Sequence, residues 1–563
     1  MSSRPGKQAG ILKLLWPYLR PQLPTLLLTL LLSLLIATLA AAQPLLTRMA
    51  IDTGLIGRHY DQLLAACLGM LALALAGMIL GGVHRALYVR ASGRVLFALR
   101  GATYRRLLQV SPRRLAEHAV GDLVTRLDGD VAEVQRFGTD SAAAFISSAL
   151  TLCMVGAVML RLSWRMTLVM TALLPLQLIV RHYARPRIES STRAVREQAS
   201  RVSGFLIETL GNARSVQAAA AEATETERLG KLGDSYLSRV VRAQMVAYAT
   251  GSATSFLGHI ATAATFLLGG WYVLHGALSL GTLIAFIAYL GRIAGSAASL
   301  SGLYTGYQRA RVSLERVRQL QALPIVAETA AAASLGPEAR GALRFENLSI
   351  RLPRDGRMLL DDVSIEIPAG TKLLLRGASG AGKTTIADLL RRFVDPDSGR
   401  ILLDGIPLGQ VQLQELRRRI VVVEHSPVLF RGTILDNLRY GHPDADESAV
   451  LQAAILARVD EFVRDLPDGY LTQVGEGGAS LSTGQRQRIA LARASLADPL
   501  VVILDEAMSG LDHDNAVAVQ RALDNSFPQR TRIVITHRDT TIENVDLCWL
   551  LDAGELRSGS VGA

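Results

Sequence analysis

The chain has 563 residues, half of them hydrophobic and only 19% charged, with a mean hydropathy of +0.27, a balance that excludes an ordinary soluble protein and leaves room for two or more domains. The net charge of +11 is unevenly placed: residues 1–340 hold 35 Lys and Arg against 18 Asp and Glu, and residues 341–563 hold 25 against 31. The basic half is also the apolar half and shows no basic patch interleaved with aromatics, which excludes nucleic acid as a partner and favours an anionic lipid surface.

Residues 11–21, ILKLLWPYLRP, read as a short interfacial helix lying on a bilayer. Six runs long and apolar enough to cross a membrane follow, at about 22–47, 62–84, 139–160, 164–185, 245–273 and 279–307. The first has no small-residue cleavage pattern and leads into further runs, so a cleaved signal peptide is not expected. Trp164 and Tyr183 stand near the ends of the fourth as interface anchors. The links after the first, third and fifth runs are short. The stretches 84–140 and 181–242 are long, polar and helical in pattern, and read as helices that leave the membrane and return. Cys67, Cys153 and Cys548 are few, odd in number and far apart, which suggests neither a disulfide framework nor a metal site.

Three polar side chains inside these runs are candidates for a substrate cavity. Arg292 lies near mid-depth of the sixth run, and no acid lies inside the uncharged stretch of any run to pair with it. It reads either as a cavity cation that attracts an anionic group on a cargo or as an arginine solvated in a water-filled cavity. His259 and Gln177 read either as cavity residues or as helix contacts. After a charged helix at 309–323, the Ala-rich stretch 324–342 reads as a linker. Residues 343–563 alternate strands and helices, an α/β domain. The fold expected is a helical membrane domain over 1–323, with six spans and long cytoplasmic helical extensions, followed by a P-loop α/β nucleotide-binding domain with a helical subdomain.

The α/β domain carries the chemistry. Gly377-Ala378-Ser379-Gly380-Ala381-Gly382-Lys383-Thr384-Thr385 fits G-x-x-x-x-G-K-[ST], follows the apolar strand KLLLRG and opens the helix TIADLLRRF. Its glycines let backbone N–H groups curl around the phosphates of ATP, and the helix N-terminus adds positive potential. Lys383 reaches the β and γ phosphates, and Thr384 offers a hydroxyl to Mg²⁺. Further on, VVILDE is a buried strand ending in two acids. Asp505 suits Mg²⁺, and Glu506 suits the general base that polarises the attacking water. A cassette that meets ATP puts this domain, both termini and the long extensions on the cytoplasmic side, in an integral membrane protein of the cell (inner) membrane.

Leu481-Ser482-Thr483-Gly484-Gln485, followed by RQRIALARA, resembles the LSGGQ signature of ATP-binding cassette proteins. Thr472-Gln-Val-Gly-Glu476-Gly resembles a segment of exporter-type cassettes, and Pro427 to Asn437 resembles their segment that meets the membrane domain. Ala119 to Arg126 and Glu208 to Arg214 resemble the two coupling-helix regions, and Gly281 to Phe286 the start of the sixth span. The resemblance covers nearly the whole chain. It implies a half-transporter that pairs with a second subunit, a homodimer or a heterodimer, so that Ser482, Gly484 and Gln485 of one cassette contact ATP held by the other. It further implies a D-loop at Ser509-Gly-Leu-Asp512 and a switch histidine at His537. The chain departs from the pattern twice. His425 stands where the family places the Gln that ligates Mg²⁺, and Leu352 stands where an aromatic stacks on adenine. The function implied is ATP-driven export or flipping of an amphipathic solute, lipid or peptide. Two alternatives stay open: an importer on the same fold, for instance for a metal chelate, and a weakly hydrolysing half of a heterodimer. A cassette acting on ribosomes or DNA is excluded by the six spans.

Overall fold

The computed structural model describes residues 11–563 except 172–173, 327–332, 352–356, 379, 479, 508–516, 518–519, 522–523, 537–541, 543, 553 and 559–563. The chain forms two units. The first comprises Met1–Tyr104 and Gly121–Gln321, the second Arg105–Val120 and Ala322–Ala563. The second unit thus joins Arg105–Val120 to the stretch that starts at Ala322.

The first unit is helical: α1 (Ile11–Leu19), α2 (Leu23–Met49), α3 (Tyr60–Leu108), α4 (Ala142–Leu162), α5 (Trp164–Thr171), α6 (Leu174–Gly211), α7 (Glu222–Leu274) and α8 (Leu280–Ala322). Among the described residues five helical stretches are long and apolar enough to cross a membrane: Lys13–Ile56, Tyr60–Leu108, Val120–Leu162, Glu222–Leu274 and Leu280–Ala322. The expected fourth span falls on α5 and the start of α6, on either side of residues 172–173, which lie outside the described set. The long polar stretches carry the membrane helices onward, α3 to Leu108 and α6 to Gly211, and are interrupted within 109–119 and 212–221; α6 packs along α7.

Polar contacts tie distant turns of this unit together. The Asp52 carboxylate accepts from Ser279 Oγ at 2.5 Å and from the Gly281 backbone N–H at 2.8 Å, so it caps the N-terminus of α8 from across the fold. A Cβ on Gly281 would stand 2.7 Å from the Arg48 carbonyl oxygen and from Asp52, so this close approach admits only glycine. Tyr289 Oη donates to the Ala41 carbonyl at 2.7 Å, and Ser313 Oγ to Asp130 at 2.7 Å.

The second unit is built on strands β1 (Leu343–Arg351), β2 (Met358–Ile367), β3 (Lys372–Gly377), β4 (Ser398–Leu403), β5 (Ile406–Pro407), β6 (Ile420–Glu424), β7 (Gly432–Thr433), β8 (Gln473–Val474), β9 (Val501–Asp505), β10 (Thr531–Ile535), β11 (Leu547–Asp552) and β12 (Glu555–Ser558). An antiparallel sheet runs in the order β2-β1-β4-β5, and β7 pairs with β8. The main sheet runs β12-β11-β3-β10-β9-β6, parallel from β11 to β6. Its central strands are apolar on both faces because both are covered. Val501, Ile503, Ile533 and Ile535 enter one core, while their neighbours Val502, Leu504 and Val534 enter the other. Helices α9 (Lys383–Leu390), α10 (Leu413–Arg419), α11 (Glu447–Leu456) and α12 (Thr483–Leu496) complete the unit. With parallel strands in register, everything after β3, β6 and β9 emerges at one carboxyl edge, where open α/β sheets bind ligands.

Candidate functional site

At that edge the turn from β3 to α9 carries the glycine-rich loop expected to bind phosphate. Gly377, at φ 156°, passes so close to β11 that a Cβ would stand 2.5 Å from the Leu551 carbonyl oxygen. Gly380 and Gly382 have φ of 78° and 110°, backbone that side-chain-bearing residues rarely adopt. The curled loop brings the Lys383 ammonium back over it, donating to the carbonyls of Gly377 at 2.7 Å and Ala378 at 2.9 Å. Ser379 lies outside the described residues.

The parallel register places Glu424, the last residue of β6, beside Asp505, the last of β9. Burial pushes the Asp505 carboxyl up; a hydrogen bond from Thr384 lowers it, and Glu506 and Glu424 raise it. Glu506 has the left-handed φ of 51°, and its N–H donates to the Ile535 carbonyl at 3.0 Å. A non-glycine residue takes that conformation at a cost of about 1 kcal/mol. It turns the chain sharply at the strand end and keeps the side chain at the cavity.

Lys383, Thr384, Thr385, Asp505, Glu506 and His425 all line one cavity of about 740 Å³. Among the described residues no three His, Cys, Asp or Glu side chains converge as a metal-ligand set. The Thr384 hydroxyl bonded to Asp505 nevertheless fits Mg²⁺, a hard cation held by one or two protein oxygens together with substrate phosphates. The His425 carbonyl accepts from Gln487 Nε2 at 3.1 Å.

The structure also shows what sequence reasoning missed. Arg357, Leu359, Asp388 and Arg391 line the same cavity. The signal for two of them was present: Thr384, Asp388 and Arg391 follow i, i+4, i+7 spacing, one face of the helix that leaves the phosphate loop. Leu352, Ser509, Asp512 and His537 lie outside the described residues.

Leu481, Ser482, Thr483, Gly484 and Gln485 are not among the residues described as lining the cavity. They form the N-terminus of α12, where Ser482 Oγ accepts from the Gln485 N–H at 3.2 Å and Gln485 Oε1 accepts from the Ser482 N–H at 2.9 Å. This reciprocal capping box leaves the turn exposed at Ser482.

In the first unit, Arg292 Nη2 donates to Gln43 Oε1 at 3.2 Å, joining α8 to α2. His259 is exposed on α7, and the side chain of Gln177 lies outside the described residues.

Comparison with known families matches residues 26–296 to the ABC transporter transmembrane region and residues 360–509 to the ABC transporter family. The chain is 30% identical to the ATP-dependent lipid A-core flippase of Chromobacterium violaceum, over 91% of this chain and 87% of that protein. It is 31% identical to the ABC-type oligopeptide transporter ABCB9 of Mus musculus, over 91% of this chain and 67% of that one. A solved bacterial Atm1-family ABC exporter with ATP bound aligns with a TM-score of 0.80 at 25% identity, covering 96% of this chain and 95% of the other.

Proposed function

The chain belongs to the ABC transporters, a multi-pass membrane protein that couples ATP hydrolysis to transport, and from that premise we propose that two copies form the working exporter or flippase. The observation that carries the proposal is the make-up of the nucleotide cavity. One copy supplies Lys383, Thr384, Asp505 and Glu506, while the exposed turn at Ser482 is not among the described lining residues. A second copy would bring its own Ser482, Gly484 and Gln485 to the γ-phosphate, closing two ATP sites at once. In this reading Glu506 accepts a proton from the attacking water, and His537 orients that water. Mg²⁺, held by Thr384, Asp505 and His425, would screen phosphate charge. The Asp512 loop would pass between the two copies. Closure of the cassettes turns the membrane cavity outward, and hydrolysis resets it.

The cargo we propose is an amphipathic solute, lipid or peptide with an anionic group, which Arg292 would attract. The relatives include a lipid A-core flippase and an oligopeptide transporter, and both kinds of cargo fit that description. Import is not favoured, because the relatives are flippases and exporters. The inner membrane, with the cassette in the cytoplasm, is the expected location.

The test uses the purified full chain in nanodiscs. A dimer is expected, with ATPase activity that falls at least about 100-fold in Glu506→Gln while ATP binding persists. A particle that stays monomeric with and without nucleotide, or a low activity unchanged in Glu506→Gln, would overturn the reading in favour of one half of a heterodimer.

A further inference from the structure

Arg391 follows directly on α9 and stands in the wall of the nucleotide cavity, with its guanidinium 3.7 Å from Asp388 Oδ1 and 3.7 Å from Glu424 Oε1. Its side chain is only 17% exposed. The guanidinium lies over the Phe393 ring at 4.4 Å, and the Arg417 guanidinium lies 4.9 Å from the centre of the same ring. Arg417 Nε also donates to the Arg391 carbonyl at 3.3 Å, so both the backbone and the side chain of Arg391 are anchored.

What Arg391 joins is informative. Asp388 sits on the helix whose first turn presents Lys383 and Thr384, and Glu424 ends the strand that leads straight into His425. The bridge therefore spans from the phosphate-binding helix to the start of the loop that carries His425. Four carboxylates, Asp388, Glu424, Asp505 and Glu506, line this cavity. Burial raises the Asp388 carboxyl; Arg391 lowers it, Asp505 and Glu424 raise it, and Arg113 lowers it.

We propose that Arg391 is a positioning residue for ATP hydrolysis: by bridging Asp388 and Glu424 it holds the chain at His425 to the phosphate end of the cavity. A partly buried bridge of this kind loses more on truncation than a surface ion pair, because the remaining carboxylates are left facing one another. The inference rests on ATP occupying this cavity.

The experiment compares wild type, Arg391→Met, Glu424→Ala and the double variant as full chains in nanodiscs. It measures kcat, KM for ATP and binding of a fluorescent ATP analogue. Each single variant is expected to lower kcat about fivefold with KM changed less than about twofold, and the double variant to be no worse than either. Arg391→Lys should recover part of the loss. Wild-type kcat in a single variant, or losses that multiply in the double variant, would overturn the proposal. Failure of wild type to bind the analogue would instead overturn the ATP site itself. Should Arg391→Met not fold, Glu424→Ala carries the test alone, since it removes a carboxylate that is 55% exposed.

Discussion

Leucine behaves in opposite ways in the two units. In the cassette Leu343, Leu348 and Leu360 are fully buried between the sheet and its neighbours. In the membrane unit Leu71, Leu267 and Leu274 are 67%, 76% and 86% exposed on helix surfaces. The cassette is held by withdrawing apolar surface from water. The membrane unit faces lipid tails that are as apolar as leucine itself, so apolar burial gives its helices little reason to associate. Its cohesion has to come from close approach at small residues, as at Gly281, and from polar contacts such as those of Asp52, Tyr289 and Asp130.

That contrast can be broken by experiment. The largest effect expected is on Leu348→Ala, which should destabilise the cassette by about 3 kcal/mol, against less than about 0.5 kcal/mol for Leu267→Ala in a bilayer. Thermal unfolding in nanodiscs reads both, and equal losses would end the distinction. Next comes Asp52→Ala, which removes the acceptor of the Gly281 N–H and of the Ser279 hydroxyl and should cost about 1–2 kcal/mol, seen as a lower unfolding midpoint of the membrane unit. A smaller effect is expected for Arg292→Ala, which should change cargo-stimulated ATPase about threefold and leave the basal rate alone. An equal fall in both rates would remove the cargo contact. The smallest is His425→Gln, expected to keep or raise ATPase within about twofold, where a loss beyond about tenfold would give the imidazole a dedicated role.

The same contrast explains what could be read from the sequence. The phosphate loop and the acidic strand were legible because their chemistry is local: nine consecutive residues make the loop, and one strand end carries both Asp505 and Glu506. Five apolar helical stretches among the described residues match long runs of the sequence, because lipid demands long uncharged runs. Contacts between distant segments were not. Asp52 caps a helix that begins more than two hundred residues later, and nothing in DTGLIG announces it. Arg391 and Asp388 lie on a legible helix, but only the register of β6 against β9 brings Glu424 to them. The segment 105–120 falls inside the match to the transmembrane region, residues 26–296, while by its contacts it groups with the second unit, a long-range grouping that local sequence does not announce.

The length of the helices has a mechanical consequence. Helix α7 has 53 residues, so it measures about 80 Å, while hydrocarbon needs only about 30 Å of it. A rod gripped by lipid over part of its length acts as a lever. A tilt of about 5° at the grip carries a tip about 40 Å away through roughly 3.5 Å, about the width of one side-chain layer. Small rotations within the bilayer are thereby magnified into displacements as large as those that open or shut a binding cleft.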